Sequence, residues 1–350
     1  MSSVGESKPL YSTGKAELDA KVKELVVAAG IPEVAQRDYE EMVISVLRLA
    51  LEGQSPADRR LINQALKEIR YASKVFAPYQ GVKKICIFGS ARISPRAPEY
   101  QAAKEFAAMM RDAGYMIITG GGDGIMGAAQ AGAGRDRSFG LNIRLPFEQK
   151  ANPTIEGDPK LINFRYFFTR KLHFVKETHA IALFPGGFGT MDEGFEALTL
   201  IQTGKSRILP MVLIDAPGGN FWHTFEKYLR EHLLNDGLIS KEDFNLFKIT
   251  DDLKVAQREV LNFYYNFHSY RFVDQTLVIR MQREVPPGAL RRIQMDFEDI
   301  LIDGGDLKVC PALPQEINEP EIAHLPRLCL NFDRKSYGRL RQLIDRINEF

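Results

Sequence analysis

The chain has 350 residues, 45% hydrophobic and 26% charged, enough to bury a large core and unlike a disordered or fibrous protein. Its formal net charge of +1 gives no global field toward nucleic acid or anionic lipid, so neither is expected as a partner. No apolar run is long enough to cross a bilayer, the opening MSSVGESKPLYSTGK has no apolar leader core, and three cysteines are too few for a disulfide framework; a cytoplasmic setting is expected.

At about one domain per 100–200 residues, the length suggests roughly two domains. Residues 1–15 read as a polar end, and the pattern is then helical to about Tyr79. In that stretch Leu61, Ile62, Ala65, Leu66, Ile69, Ala72, Val75 and Phe76 recur at three- and four-residue steps, and Pro32 and Pro56 mark helix starts or breaks. At Val82 the character changes. KKICIFGS reads as a strand buried on both faces, with Cys86 as a small hydrophobe inside it. A helix (EYQAAKEFAAMMRDAG), a strand (YMIITGGG), an alanine-rich helix (GIMGAAQAGAG) and a strand (SFGLNIRLP) follow. Beyond a long loop through Pro153 and Pro159 come the helix FRYFFTRKLHFVKET, the strand AIALFPGG, the helix GTMDEGFEALTLIQTG and the strand ILPMVLID.

Alternating strands and helices predict an α/β fold, a Rossmann-like parallel sheet with helices on both faces. From about Asp274, TLVIRMQ, LRRIQMDFEDIL, RLCLNF and YGRLRQLIDRINEF predict a small α+β appendage. The expected organisation is a helical N-terminal extension over 1–80, the core over 81–270 and the α+β region over 271–350. Cys310, Cys329 and the six histidines lack metal-ligand spacing, so no metal or other cofactor is expected.

Ligands of such sheets bind beyond the carboxyl ends of the strands, where two glycine-rich loops fall. In the first, Gly122, Gly124 and Gly127 spell GxGxxG between a strand and a helix. A dinucleotide site also needs an acidic residue at the end of the next strand, and that strand ends on Asn142, Arg144 and Pro146, with Glu148 a little late. Nicotinamide binding is therefore disfavoured, and a more general anion site is expected from the backbone N–H groups of the turn. The second loop, Pro185-Gly186-Gly187-Phe188-Gly189-Thr190, runs into a helix bearing Asp192, Glu193 and Glu196. Its glycines permit positive φ, and Thr190 adds a hydroxyl donor for an anion. Spacing alone favours a simpler role for the acid, because Thr190-x-x-Glu193 is the pattern of a helix capping box.

PGGFGTMDE also matches the PGGxGTxxE motif of the lonely guy family, labelled lysine decarboxylase-like. Gly89-Ser90, GGGDGIMGAA and Arg170-Lys171 match that family's other motifs in order, so the resemblance spans roughly residues 82–265. The resemblance implies a phosphoribohydrolase that splits the N-glycosidic bond of a nucleoside 5′-monophosphate, such as AMP or a cytokinin riboside monophosphate, into base and ribose 5-phosphate. It implies Glu193 and Arg170 as the functional pair. The matched motifs give a substrate site drawn from Gly89, Ser90, Thr119, Gly121, Gly122, Gly124, Met126, Gly127, Lys171, Gly186, Gly187, Gly189 and Thr190, in which Ser90 and Thr119, small hydroxyls at strand ends, are ligand donors or turn formers. The resemblance further implies a homodimer or larger assembly. Short cytokinin-activating members carry Met-His-x before the Arg-Lys pair, where this chain has Phe167-Phe168-Thr169, and a second serine where it has Ala91. The base therefore stays open. A non-catalytic carrier or sensor of a phosphorylated ligand, similar to molybdenum-cofactor carriers, is the alternative.

Overall fold

The computed structural model describes residues 11–145 and 150–350, so Pro146 and Glu148 lie outside the described residues. The chain divides into two compact units, the first ending at Glu68 and the second running from Ile69 to Phe350. The first holds helices α1 (Ala16–Ala28) and α2 (Glu33–Leu51) and the start of α3 (Pro56–Phe76). Pro32 caps α2 and Pro56 opens α3, where a missing N–H costs nothing. Ala65, Ala72 and Phe76 of the expected stripe are buried, whereas Leu61 and Leu66 are exposed.

In the second unit, β1 (Lys84–Phe88), α4 (Pro98–Asp112), β2 (Met116–Thr119), α5 (Ile125–Ala133), β3 (Ser138–Ile143) and β4 (Leu161–Phe164) build one half of a sheet. After α6 (Phe167–Glu177), the strand β5 (Ala180–Leu183), α7 (Phe188–Gln202), β6 (Met211–Ile214), α8 (Phe221–Tyr228), β7 (Lys248–Thr250) and α9 (Leu253–Phe263) build the other. The strands lie in the order β4-β3-β2-β1-β5-β6-β7, and every pairing is parallel. This is the expected α/β, Rossmann-like architecture. The apolar runs arise because β1, β2, β3, β5 and β6 are buried along their whole length. On one face Ile85, Ile87, Ile117 and Val212 pack on small residues of α4, α5 and α9, including Ala103, Ala107, Ala128, Ala129 and Ala256. On the other, Cys86, Ile118, Leu141 and Leu213 join Phe76, Phe174, Ala197 and Ile201 in a larger aliphatic and aromatic core.

Two expectations change. The long loop before Arg165 contains β4, an edge strand whose partner is β3, and Phe164 belongs to it rather than to the helix that follows. Three cysteines also suffice for one disulfide, since Cys310 and Cys329 are bonded across neighbouring strands with Cα atoms 6.0 Å apart. Cys86 is free and buried, as read.

Those strands belong to a second, antiparallel sheet of β8 (Phe267–Val273), β9 (Thr276–Met281), β10 (Leu307–Cys310) and β11 (Arg327–Leu330), ordered β10-β11-β9-β8. Helices α10 (Pro287–Asp296) and α11 (Tyr337–Ile347) complete this α+β region. Tyr337, Leu340, Leu343, Ile344 and Ile347 form the buried stripe that makes α11 amphipathic. Among the described residues no helix is long and apolar enough to cross a membrane.

Candidate active site

The chain leaves β1 toward β2, β3 and β4 on one side, then returns to place β5 on the other side of β1. The reversal opens a crevice at the carboxyl ends of β1 and β5, where doubly wound sheets hold ligands. Gly89-Ser90 follows β1, and Phe184-Pro185-Gly186 follows β5. The Ser90 amide donates to the Pro185 carbonyl at 3.1 Å, tying the two turns together. Between them lies a cleft of about 800 Å³ whose walls include Gly89, Ser90, Met126, Arg170, Gly186, Gly187, Gly189, Thr190 and Glu193.

The first glycine loop serves the packing of this cleft more than its lining. The Ile125 amide, first in α5, donates to the Ser90 carbonyl at 3.1 Å, so that helix-end donor already has a protein acceptor. Gly124 adopts φ +63, and a Cβ there would sit 2.3 Å from the Ser90 carbonyl oxygen. Gly124→Ala is therefore expected to cost at least ~2 kcal/mol in chemical denaturation, because both the backbone conformation and the neighbouring backbone resist it. The Thr119 hydroxyl accepts the Gly121 amide at 3.0 Å and acts as a turn former. Asn152 donates through its side-chain amide to the Gly121 and Gly122 carbonyls, each at 3.0 Å, and holds the turn from outside. Thr119, Gly121, Gly122, Gly124 and Gly127 are buried beneath the cleft rather than on its wall; Gly120 and Met126 reach it.

The second loop does line the cleft, by a different device from the one expected. Positive φ is absent from Gly186, Gly187 and Gly189. A Cβ at Gly186 would meet the Thr190 hydroxyl oxygen at 2.1 Å, so the glycine makes room for that hydroxyl. A Cβ at Gly187 or Gly189 would meet open space, which keeps the approach to the start of α7 clear. The capping box is overturned: Gly187 is the N-cap of α7, no side chain caps it, and Thr190 lies in the first turn. The Phe188 and Gly189 amides open the helix with no carbonyl one turn behind them, as an anion site requires.

Glu193, one turn along α7, is freed from capping and faces Arg170 and Lys171 of α6. Its carboxylate is 3.7 Å from Lys171 Nζ and 3.9 Å from Arg170 Nη2, near enough for attraction but too far for a hydrogen bond. With 8% of the side chain exposed, burial outweighs both cations and pushes its pKa up to about 7; Glu196 and Asp192 push the same way. Arg170 is also mostly buried, its guanidinium 4.9 Å from the Phe167 ring and 5.6 Å from that of Phe174. Burial lowers its pKa against the pull of Glu193 and Asp192. Its Nε–H is buried with no hydrogen-bond partner among the described residues, which leaves a donor for a bound acceptor.

Lys171 does something else. Its ammonium contacts Asp192 at 2.9 Å and Glu196 at 2.6 Å, and it is absent from the cleft wall. The two outer acids thus anchor the lysine behind Glu193. Residues that the motifs do not mark also reach the cleft, among them Phe88, Arg92, Asn142, Phe174 and Met191. Asn142 carries a signal in the sequence, since it lies near the end of β3, where a dinucleotide site places its ribose contact. Its side chain is engaged with Asn163 at 3.1 Å and with the Ile143 amide at 3.0 Å.

Residues 126–260 match the family described as "Possible lysine decarboxylase", a span that includes Arg170, Gly186 to Thr190 and Glu193. A probable cytokinin riboside 5′-monophosphate phosphoribohydrolase of Oryza sativa subsp. japonica, LOG4, is 26% identical over 176 residues, covering 49% of this chain and 73% of its own. A second from the same plant, LOGL1, is 27% identical over 136 residues, covering 38% of this chain and 60% of its own. The molybdenum cofactor binding protein of Rippkaea orientalis is 16% identical, with a TM-score of 0.36, over 50% of this chain and 91% of that one. A structural likeness of that size says nothing about activity.

Proposed function

From the likeness of this core to the lonely guy family, shown at low identity by the family match and both rice relatives, we propose that the chain hydrolyses the N-glycosidic bond of a nucleoside 5′-monophosphate. The observation that carries the reading is the position of Glu193, a buried carboxylate on the cleft wall one helical turn beyond an uncapped glycine N-terminus. A phosphate at the Phe188 and Gly189 amides puts the ribose about one turn deeper, against Glu193. Breaking the C1′–N bond leaves the electron pair on the base and positive charge on the ribose, which the ionised Glu193 stabilises. Water then adds its oxygen to C1′ and gives a proton to the carboxylate, whose raised pKa suits it to accept one and to pass it on to the departing base anion, which restores the ionised Glu193. Arg170 supplies charge and its unpaired Nε–H toward the phosphate or the departing base; a guanidinium is a poor proton donor.

Lys171 positions and tunes Glu193. Its removal takes away a cation that favours the carboxylate, so Lys171→Gln is expected to move the acid limb of the pH–rate profile to higher pH. An unchanged limb would count against this role for Lys171.

The reading is tested by incubating the protein with AMP, GMP, CMP, UMP and a cytokinin riboside 5′-monophosphate, then measuring free base and ribose 5-phosphate. Release from at least one is expected. Binding without release from any of them overturns the hydrolase reading and leaves a carrier. The base is the open variable, since Phe167 and Phe168 replace the family's usual pair and Ala91 its second serine. A homodimer or larger assembly is proposed from the same likeness.

A further inference from the structure

A second cavity, of about 370 Å³, lies at the opposite, amino-terminal ends of β1 and β5. It is walled by Lys83, His179, Arg207, His268, Tyr264 and Tyr270, among others, and by no aspartate or glutamate. Lys83 immediately precedes β1, His179 precedes β5, Arg207 lies in the connection to β6, and His268 and Tyr270 come from β8 of the antiparallel sheet.

The charges here are poorly compensated. Among the described residues neither Lys83 nor Arg207 has a carboxylate within 4.0 Å. Lys83 lies over the Tyr264 ring at 4.1 Å, and Arg207 donates to the Thr178 carbonyl at 2.5 Å. Beneath them Lys84 is buried with its ammonium on the Tyr79 and Val82 carbonyls, at 2.7 and 3.0 Å. The carboxylates that act on this region are held elsewhere: Glu177 by Lys176 at 2.6 Å, and Glu319 by Arg271 at 2.7 Å and by Arg280. Burial, then Arg207, Lys84 and Lys83, pushes the His179 pKa down to about 3, a measure of how strongly further positive charge is opposed. His179 is accordingly neutral and accepts the Lys84 amide at Nδ1, 3.2 Å away. Tyr270 accepts the Ile208 amide at its hydroxyl oxygen, 3.2 Å away, so its own O–H proton is left to donate. Cations gathered on a concave wall without acids raise the local positive potential and attract a small anion, and such an arrangement marks a ligand site.

We propose that this cavity binds a small phosphorylated anion bearing two or more phosphoryl groups, held by Lys83 and Arg207 and walled by Tyr264 and Tyr270. The site is separated from the candidate active site by the length of β1 and β5, and it does not depend on the reaction proposed above.

Isothermal titration of the full chain with inorganic pyrophosphate, at constant ionic strength, tests it. The wild type is expected to bind, Lys83→Gln/Arg207→Gln to lose at least tenfold in affinity, and Gly186→Ala, which obstructs the other cleft, to retain binding. Lys83 and Arg207 are exposed, so circular dichroism of the double variant should match the wild type. Tyr270→Phe, expected to weaken binding more mildly, gives a second reading should it not. Titration with ATP alongside separates the sources. Tighter binding than pyrophosphate assigns the tyrosine wall to a nucleoside, and equal affinity assigns the site to the phosphate chain; both support the proposal. Absence of pyrophosphate binding to the wild type, or binding that survives the double variant and is lost in Gly186→Ala, overturns it.

Discussion

Replacing Glu193 with glutamine is expected to slow release of base and ribose 5-phosphate by about two to three orders of magnitude while raising the melting temperature at pH 8. The two effects share one cause. The carboxylate is buried, lacks a close hydrogen-bond partner among the side chains facing it, and titrates near 7 rather than at the ordinary 4.5. A carboxyl group whose pKa is raised by folding favours the folded state below its unfolded value, and that advantage is lost as pH rises through the folded value. At pH 8 the ionised Glu193 therefore opposes folding, by up to about 3 kcal/mol. Glutamine keeps the shape and removes that charge. The gain in stability should be large at pH 8 and shrink toward pH 5, where the native side chain is already protonated. Activity should follow the opposite course: the ionised form stabilises the cationic ribose, so the wild-type rate falls as pH drops below about 7. Loss of one preorganised electrostatic group costs on the order of 10²–10³ in rate. A helix cap would behave otherwise, since its removal lowers stability by about 0.5–2 kcal/mol at every pH where the cap forms. A variant that keeps its rate and loses stability would restore the cap and remove Glu193 from the chemistry.

The sequence carries the parallel sheet openly because strands buried on both faces are written as unbroken apolar runs, and KICIF and MIIT are such runs. An edge strand gives no such signal. In β4, Leu161 and Asn163 are not fully buried, and Phe164 leads straight into an aromatic helix, so its four residues read as loop and helix. Thr190-x-x-Glu193 misleads for a related reason. The spacing describes a cap only when the threonine stands outside the helix, and here α7 begins two residues earlier, at Phe188. Asn152 holds the first glycine turn from about thirty residues away, and Cys310 meets Cys329 only through antiparallel pairing. Neither long-range partnership has a local pattern. The role of Lys171 has no local pattern either: Asp192 and Glu196 stand four apart on α7, and only the approach of α6 brings the lysine to both of them.

The second large effect is expected far from the cleft, at Glu316. Its carboxylate accepts Arg280 Nη2 at 2.6 Å and Arg327 Nε at 2.9 Å, and the Leu313 amide at 3.0 Å. Arg280 lies on β9 and Arg327 on β11, so one acid joins two strands of the antiparallel sheet to the segment before Arg327. All three side chains are at most 4% exposed. Burial alone would raise the Glu316 pKa, but the Leu313 amide and the two arginines outweigh it and hold the group below its ordinary value. Glu316→Gln leaves Arg327 buried without a carboxylate and Arg280 with Glu319 alone, which is expected to cost about 3–5 kcal/mol in urea denaturation. The pH dependence has the opposite sign to that of Glu193. A carboxylate whose pKa is depressed by folding contributes stability above its unfolded value, near 4.5, and loses it as pH falls through the folded value. The difference between wild type and variant should therefore be full at pH 7 and narrow below about pH 4.5. A buried ion cluster need not exceed apolar packing, so replacing Arg280, Glu316 and Arg327 together with apolar residues of similar volume should recover much of the loss. If the single and triple variants were equally unstable, packing rather than the stranded charge would be the cause.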